Sequence, residues 1–559
     1  MSRTRTLLAA AALIVLFFVA NRGAYKGYFQ DDDLDNLAWA PHVELQTYVE
    51  ALINPKFHRS NFRPVGHLFY HAIERVAHLN FKPYVAGLQI IHLINAFLLW
   101  LVLKRMRFHP LTALASLVFF LFHPATFAAY WQPMYVFDAL CGTFCLLSLV
   151  CWIDRRWVLS FLCFWLAYKA KEVAVMLPAA LAIYEYWLGE RRWKPLIPFL
   201  IVSLSFGTQA LIENRTSNDA YTLKLDRFVV FQLLEFYGSH VFFWAWFTPL
   251  FFLLAFIVRD KRFYFGLLAA CLFLLPMLAL PDRMFSVYLY VPLIGVAVAL
   301  ATAVDRKPVI ACLLFLAIWI PGTYLAMRDY RKSALTLAEE NRGYVQTIAD
   351  FLKGNPGMTE FVQDGHPAAM NVWGASGAIE CLENRTDVEV ALIDSPEAQA
   401  ILKKPSLAIL SWDGTFRKLH INRRDPSAPL ASYVRVNRDL PLWQFGEGWF
   451  PRENLLRWSK TSATAMLTRP ALAREFEINI NAPPLQMDAI HQFQIELLID
   501  GETAGTRKVN TTGWQKLAYP LKPKPEATVR IEFRISPGFH PERDPRTVGA
   551  AFGSFGFIQ

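Results

Sequence analysis

The sequence predicts a polytopic α-helical membrane protein that carries a C-terminal soluble α/β piece and a β-sandwich. Of its 559 residues 54% are hydrophobic, and the mean hydropathy is +0.27, whereas soluble globular proteins are about 45–50% apolar. The apolar excess is concentrated in the first 330 residues. Beyond them, short apolar runs alternate with polar turns, a pattern typical of soluble sheet structure.

Eleven apolar segments approach the length of about 20 residues that a membrane-spanning helix needs. A cleaved signal peptide is the alternative for residues 1–21, but Ala20-Asn21-Arg22 is a poor cleavage site. We therefore interpret 6–21 as an uncleaved first helix. The predicted spans are 6–21, 84–103, 110–128, 136–153, 157–169, 171–188, 195–212, 233–257, 263–280, 285–303 and 308–326.

Basic residues cluster on alternate connections between these segments. If all eleven helices are real, every cluster falls on the same side as Arg3 and Arg5. Cytoplasmic connections are enriched in Lys and Arg, so this pattern predicts a cytoplasmic N-terminus and an outer location for loop 22–83 and the tail. Because orientation accounts for much of the net charge of +10, we expect no nucleic-acid partner. The clusters are Lys104-Arg105-Arg107, Arg155-Arg156, Arg191-Arg192-Lys194, Arg259-Lys261-Arg262 and Arg306-Lys307.

The long loop 22–83 begins with an acidic run, Asp31-Asp32-Asp33 and Asp35. Neighbouring carboxylates repel one another and are costly to desolvate, so a plain helix flank would rarely collect four of them. An enzyme that removes a proton from an acceptor hydroxyl needs a carboxylate of this kind as its base. The alternative interpretation of the acidic run is a solvated loop that helps set the membrane topology. Farther along the loop, 43–57 and 61–79 predict helices lying on the membrane.

The tail changes character after residue 330. Residues 333–353 predict a helix that stops at Gly354-Asn355-Pro356-Gly357, and the apolar runs 388–393 and 406–411 predict strands. Alternating runs and the Asp500-Gly501 turn then predict a sandwich. We expect three regions: a transmembrane domain 1–329, an α/β region 330–431 and a β-sandwich 432–559.

Cysteine usage excludes a disulfide-stapled tail. Six of the seven cysteines lie in or beside apolar segments, and Cys381 alone lies in the tail, so it has no partner for an intradomain disulfide. No Cys/His cluster has zinc spacing.

Charged residues recur at the predicted outer ends of the apolar helices. They are Arg63, Asp138, Lys171-Glu172 and Asp282-Arg283. Ionisable groups beside apolar spans are functional candidates by default, and their location on one side suggests one shared outer site. The alternatives are a headgroup anchor for Arg63, a helix N-cap for Asp138, and a structural ion pair or interfacial snorkelling for Lys171-Glu172.

A series of motifs over about residues 25–300 resembles the GT-C superfamily of integral-membrane glycosyltransferases. Within it, the chain is similar to bacterial relatives of the protein O-mannosyltransferases, also called dolichyl-phosphate-mannose-protein mannosyltransferases. The motifs follow the acidic run in a characteristic order. They are Asn61-Phe62-Arg63-Pro64-Val65, Ile91-His92-Leu93-Ile94-Asn95-Ala96, Phe122-His123-Pro124-Ala125, Lys171-Glu172 with Leu177-Pro178, and Tyr288-Leu289-Tyr290-Val291-Pro292-Leu293-Ile294-Gly295.

The resemblance implies an inverting glycosyltransferase in a bacterial inner membrane, with an extracytoplasmic active site. Its donor would be a polyprenyl-phosphate-linked sugar, and its acceptor a glycan, a lipid or a protein hydroxyl. By position, Asp32 or Asp33 would be the catalytic base. Arg63, Lys171 and Arg283 would face the donor phosphate, Glu172 would position Lys171 or contact the sugar, and Asp138 would match an acidic position of the relatives.

The sequence also departs from the family pattern. The usual acidic pair is here a run of three plus Asp35, and Ala170 stands where relatives often have Ser. The tail has no tetratricopeptide pattern. We expect no cofactor; the acidic trio could bind a divalent cation, but relatives that use monosaccharide-phosphate lipids generally need none.

Two further questions stay open at this stage. The aromatic residues between Trp443 and Trp458 could stack on sugar rings or fill the sandwich core. The competing function is non-enzymatic: a transporter of lipid-linked glycans or an assembly scaffold. A transporter would place polar residues and helix breaks in the middle of its spans.

Overall fold

The computed structural model describes residues 3–55, 62–216, 222–224, 226–244, 246–436, 442–453, 456–542 and 544–559. The chain forms two compact units. The membrane unit comprises Met1–Phe29 and Trp39–Ala338, and the C-terminal unit comprises Gln30–Ala38 and Glu339–Gln559. The acidic run thus belongs to the C-terminal unit, although both of its flanks belong to the membrane unit.

Helices make up the membrane unit. Following α1, residues Asp31–Trp39 form α2, of which Trp39 alone belongs to this unit. The others are α1 (Arg3–Asn21), α3 (Leu45–Ile53), α4 (Pro64–Ala77), α5 (Phe81–Arg105), α6 (Pro110–Leu121), α7 (Val136–Ile153), α8 (Trp157–Ala170), α9 (Leu177–Trp187), α10 (Ile197–Thr216), α11 (Arg227–Val241), α12 (Phe247–Leu253), α13 (Ala255–Val258), α14 (Lys261–Leu274), α15 (Pro292–Val304) and α16 (Pro308–Gly354).

Helix occurs in each of the eleven predicted spans, but among the described helices six are long and apolar enough to cross a membrane. The number rises to seven if α6 and the following turn Pro124–Tyr130, which meet at 65°, form one bent span. Several predicted spans are shorter or divided. For example, 233–257 is split between α11 and α12. Apolar composition alone therefore overstated the length of the continuous helices.

The predicted membrane helix 308–326 and the predicted tail helix 333–353 are one helix, α16, of 47 residues. Pro321 lies inside it, and it ends at Gly354 as the Gly-Asn-Pro-Gly sequence predicted. Its residues up to Ala338 belong to the membrane unit and the remainder to the C-terminal unit.

Two helices form in the long loop within the segments predicted to be helical, and their location on a membrane surface stays a prediction. They are α3, within 43–57, and α4, within 61–79. On α3 the apolar side chains Leu45, Val49 and Ile53 are exposed on one face, while Tyr48 and Ala51 on the other are buried. This is the amphipathic pattern of period 3.6. Residues 56–61 lie outside the described part of the chain.

The C-terminal unit contains α17 (Val372–Glu383), α18 (Pro396–Ile401), α19 (Pro484–Ile490) and three sheets. Its strands are β1 (Glu360–Asp364), β2 (Glu389–Leu392), β3 (Ala408–Asp413), β4 (Lys418–Arg423), β5 (Tyr433–Arg435), β6 (Trp449–Glu453), β7 (Leu456–Ser459), β8 (Ser462–Arg469), β9 (Glu475–Ala482), β10 (Phe493–Ile499), β11 (Glu502–Val509), β12 (Gly513–Pro520), β13 (Ala527–Ser536) and β14 (Ala551–Ile558).

The first sheet has the strand order β2-β1-β3-β4. Strand β1 pairs in parallel with β2 and β3, and β4 is antiparallel to β3. The apolar runs 388–393 and 406–411 are strands β2 and β3 as predicted. Strands β1 and β4 were not predicted, because β1 is short and β4, although its residues alternate, contains only two apolar side chains, Leu419 and Ile421.

Two antiparallel sheets form the sandwich that the alternating runs predicted. One has the order β11-β10-β13-β8; the other runs β12-β9-β14-β7-β6, with β5 added on β14. Side chains of both sheets share one core; Phe533 of the first, for example, meets Phe476 and Phe552 of the second. Asp500 and Gly501 both have positive φ and close the β10–β11 hairpin, as an Asp-Gly turn requires.

The aromatic segment between Trp443 and Trp458 contributes to this core. Trp449 is 1% exposed, stacks on Phe555 at 5.5 Å, and donates its indole N–H to the carbonyl of Thr464 at 2.7 Å. Phe445 belongs to the same core, whereas Phe450 is buried in a separate small cluster with Phe539 and Val548. The rings of Trp449 and Phe445 therefore fill the sandwich interior, the second of the two alternatives.

Candidate functional site

Lys171 and Asp138 form an ion pair inside the membrane unit. The Nζ atom of Lys171 lies 2.6 Å from both carboxylate oxygens of Asp138, and the two side chains are 12% and 6% exposed. A buried charge is stable only when it is paired and hydrogen-bonded. The carboxylate of Asp138 therefore keeps the ammonium group of Lys171 at a fixed, nearly buried position, where an unpaired lysine would be unstable.

Local sequence explains how this pair forms. Helix α8 ends at Ala170, and Lys171 takes an extended conformation before the short 3₁₀ turn Glu172–Met176. Asp138 lies in the first turn of α7, where the helix dipole stabilises negative charge. The N-cap of α7 is Tyr135, so Asp138 serves as the lysine's partner and does not cap the helix.

A second ion pair begins at the next residue. The Nε atom of Arg63 donates to Oε1 of Glu172 at 2.8 Å. Arg63 is the N-cap of α4, and its backbone N–H donates to Nδ1 of His67 at 3.0 Å. The same Nδ1 lies 2.9 Å from the carbonyl oxygen of Arg63, and burial lowers the pKa of His67 to about 3, so its imidazole is neutral. The start of α4 is thereby fixed beside Glu172.

The two ion pairs are interleaved. Lys171 and Glu172 are consecutive, and so are Phe137 and Asp138. Asp138 binds Lys171, while the ring of Phe137 lies 5.5 Å from the guanidinium carbon of Arg63. Two residues from the α8–α9 connection thus tie the start of α4 to the start of α7.

Aromatic side chains border the lysine. The Nζ atom of Lys171 lies 4.4 Å from the ring centre of Tyr288, a distance at which a cation is attracted to the ring face. Tyr237 donates its hydroxyl to the carbonyl of Arg283 at 3.4 Å, and the guanidinium of Arg283 lies 5.3 Å from the ring of Phe285. Arg283 is therefore placed on the segment that leads to Tyr288.

A hydrogen-bonded group lies on the residues that follow. The hydroxyl of Tyr290 lies 2.7 Å from Nδ1 of His92 and accepts from the side-chain amide of Asn95 at 2.8 Å. The same amide donates to the carbonyl of Ala139 at 2.8 Å. Because Ala139 follows Asp138, this group fixes the backbone that carries the carboxylate partner of Lys171.

The acidic run forms helix α2, and its three leading carboxylates have different environments. Asp33 is fully buried and accepts from the backbone N–H of Gln30 at 2.9 Å, the reciprocal bond that an acidic residue at the third helical position makes to the N-cap. Asp32 is exposed. Burial raises the pKa of Asp31, while the backbone N–H of Asn371 opposes this rise.

Helix α2 packs closely against α17 within the C-terminal unit. A Cβ atom on Gly377 would lie 2.5 Å from the carbonyl oxygen of Leu34, and one on Gly374 would lie 2.9 Å from the Cα atom of Asp31. Farther along, the thiol of Cys381 lies 3.9 Å from the same carbonyl of Leu34. The backbone of the acidic helix therefore rests directly on α17.

The structure brings together four of the predicted site residues: Arg63, Asp138, Lys171 and Glu172. Arg283 belongs to the same unit, whereas Asp32 and Asp33 belong to the other. The sequence did not predict the contact of Phe137 with Arg63 or the packing of α2 against α17. The three-residue spacing from Gln30 to Asp33 was a usable sequence signal for the buried role of Asp33.

Within the described residues, no group of three or more His, Cys, Asp or Glu side chains is arranged to hold a metal ion.

No protein-family model and no curated protein matches the chain. Among solved structures, it is similar to ArnT from Cupriavidus metallidurans bound to undecaprenyl phosphate, with 11% identity and a TM-score of 0.44 over 73% of this chain and 94% of that one. To ArnT from Cupriavidus metallidurans in the apo state, the identity is 12% and the TM-score 0.44, over 78% of this chain and 96% of that one. To the arabinofuranosyltransferase AftD from Mycobacteria, the identity is 12% and the TM-score 0.44. That alignment covers 100% of this chain and 58% of AftD.

Proposed function

We propose that this protein is an inverting membrane glycosyltransferase of the GT-C type, which uses a polyprenyl-phosphate-linked hexose or pentose. The acceptor is an extracytoplasmic hydroxyl of a glycan, a lipid or a protein. The observation that carries this proposal is the pair of interleaved ion pairs, Lys171–Asp138 and Arg63–Glu172, between apolar helices. An isolated cation is costly in such surroundings, and two cations held there suit a lipid-borne anion.

The proposed chemistry uses these cations on the leaving group. As the bond between the anomeric carbon and the phosphate oxygen breaks, negative charge grows on the polyprenyl phosphate. An ammonium and a guanidinium already fixed in place stabilise that charge without reorganising at the moment of reaction. Arg63 adds the planar geometry of a guanidinium, which matches phosphate oxygens. Asp138 and Glu172 set the positions of the two cations.

The acceptor hydroxyl needs a base, and we assign this role to Asp32. The oxygen of the acceptor hydroxyl attacks the anomeric carbon from the face opposite the phosphate, and this attack inverts the anomeric configuration. Asp32 takes the proton of that hydroxyl in the same step. Asp33 is buried and engaged with Gln30, and Asp31 is engaged with Asn371. Among the three carboxylates, that of Asp32 is exposed, so a substrate can approach it from solvent.

The proposed location is a bacterial inner membrane, with the N-terminus cytoplasmic and the C-terminal unit periplasmic. The alternate basic clusters support this orientation.

The deciding experiment follows label from polyprenyl-phosphate sugars in membranes that contain the overexpressed protein. We expect label to move to a new acceptor, and this transfer to be lost in Asp32→Asn and Lys171→Met. Asp329→Asn, an exposed carboxylate on α16, serves as the matched control and should transfer normally. Full transfer by Asp32→Asn would refute the assigned base, and the absence of transfer from every donor would refute the enzyme.

One observation favours the non-enzymatic alternative. Gln89, His92 and Asn95 are fully buried on one face of α5, within a helix long enough to span a membrane, and polar residues in that position are typical of transporters. If the protein moves lipid-linked glycans, labelled donor should cross the bilayer of reconstituted vesicles without forming a new glycosidic bond. Asp32→Asn would then move it as well as the wild type.

A further inference from the structure

The second sandwich sheet has an outward face that no part of the proposed reaction uses. On β9 the even-numbered residues Phe476, Ile478 and Ile480 are fully buried in the core, so Glu477, Asn479 and Asn481 point to the other side because strand side chains alternate. Register pairs Trp514 with Asn481 and Lys516 with Asn479. Tyr433 and Ser554, on β5 and β14, continue the same face.

Trp514 is an exposed aromatic side chain on this face. One edge of its six-membered ring lies close to Gly553, where a Cβ atom would be only 2.5 Å from Cζ3 and 2.8 Å from Cη2 of the indole. The side chain is nevertheless 55% exposed. The indole therefore approaches the sheet through this edge, and more than half of its surface stays open to solvent. Only glycine at position 553 lets the ring come this close.

Beside the ring, four polar side chains form a connected floor. The hydroxyl of Tyr433 donates to Glu477 at 3.1 Å and lies 2.9 Å from the hydroxyl of Ser554. The amide of Asn479 donates to Glu477 at 2.8 Å and to Ser554 at 3.0 Å. Lys516 forms an ion pair with Glu477 from the neighbouring strand.

We infer that this outward face, defined by Trp514, Lys516, Asn479, Asn481, Glu477 and Tyr433, is a saccharide-binding site. A sugar ring presents C–H groups on its faces and hydroxyls around its edge, so it is recognised by a flat aromatic ring with donors and acceptors beside it. Residues two apart on a strand are separated by about 6.8 Å. A sugar stacked on Trp514 would thus reach the amide of Asn481 and bring the next sugar over Lys516 and Asn479.

The composition of the face argues against a protein partner. Specific protein interfaces have a buried apolar core, whereas the exposed large hydrophobic side chains of this face, within the described residues, are Trp514 and, at the opposite end of β9, Ile558. A nucleic acid would require an excess of cations, whereas the cations Lys516 and Arg435 of this face are matched by the carboxylates of Glu475 and Glu477. Saccharide binding does not depend on the proposed transfer reaction.

The experiment measures retention of the full-length, detergent-solubilised protein on four immobilised polysaccharides: dextran, mannan, galactan and arabinan. We expect saturable retention on at least one of them. Trp514→Ala should weaken that binding by about tenfold or more, as expected when a stacking tryptophan is removed. Asn481→Ala should weaken it by a smaller factor. Trp373→Ala is the matched control, because Trp373 is 63% exposed in the same unit but lies on α17.

Every outcome of this experiment supports or overturns the site. Loss in Trp514→Ala with full binding by Trp373→Ala, at unchanged melting temperature, supports it. Equal loss in both variants means nonspecific adhesion of exposed tryptophans and overturns it, as does no retention on any of the four matrices. Binding of a single-stranded oligonucleotide in place of the glycans also overturns it. Asp32→Asn should bind like the wild type, so failure of the reaction and failure of this site are distinguishable.

Discussion

The Nζ atom of Lys171 lies 2.6 Å from each carboxylate oxygen of Asp138, although 33 residues separate the two in the chain. Both side chains are nearly buried. Removing either partner leaves an uncompensated buried charge, whereas removing both removes the charge itself. This difference separates a role in stability from a role in the reaction.

We expect Asp138→Ala to destabilise the protein by about 3–5 kcal/mol, the cost of an unpaired buried charge. The double variant Asp138→Ala/Lys171→Met should recover most of that stability and still fail to transfer sugar, because the cation is gone. Melting temperature in detergent and label transfer are measured side by side. A double variant that regains activity would mean that Lys171 has only a structural role.

The Arg63–Glu172 pair predicts a change in donor affinity. Arg63→Lys keeps the positive charge but loses the planar fork that binds two oxygens at once, so the KM for donor should rise by about tenfold, equivalent to about 1.4 kcal/mol. Arg75→Lys is the control, since it lies on the same helix α4 in its last turn. Identical KM values for the two variants would contradict a donor contact by Arg63.

The acidic helix predicts opposite consequences for two adjacent carboxylates. Asp32→Asn should abolish transfer without a change in melting temperature, because Asp32 is exposed. Asp33→Ala should lower stability by about 1 kcal/mol through loss of the bond from Gln30, and should keep part of the activity. The reverse pattern would transfer the role of base to Asp33.

The close packing of α2 on α17 predicts that Gly377 tolerates no side chain. Its Cβ atom would meet the backbone of Leu34 at 2.5 Å, so Gly377→Ala should destabilise by about 1–3 kcal/mol. Hydrogen exchange of residues 31–38 should speed up in this variant. Gly343→Ala is the control; no atom lies within 4 Å of its Cβ position on α16, so it should be neutral or stabilising.

Tyr290 predicts a stability effect inside the membrane unit. Tyr290→Phe removes the hydroxyl that binds His92 and Asn95, which leaves buried polar groups unpaired at a cost of about 1–3 kcal/mol. Tyr324→Phe, on an exposed position of α16, should change the melting temperature little. Equal melting temperatures for the two variants would show that the Tyr290 hydroxyl contributes nothing.

The sequence predicted the strands of the sandwich and the α3 and α4 helices well, because their patterns are local: alternation of period 2, amphipathic period 3.6, and an Asp-Gly turn. It predicted the length of the membrane helices less well. Apolar residues are equally abundant in a straight span, a bent one and a 3₁₀ turn, so composition does not locate breaks such as the one at Lys171-Glu172.

Sequence by itself determined that the chain has apolar helices followed by a sandwich, and that charged residues gather beside the apolar segments. Only the tertiary structure decided which charges pair. It joined Lys171 to Asp138 and Arg63 to Glu172, assigned the acidic run to the C-terminal unit, and gave Asp31, Asp32 and Asp33 different environments. The physical reason is that helix propensity and hydrophobicity act over a few neighbouring residues, whereas ion pairing and burial depend on segments far apart in the chain.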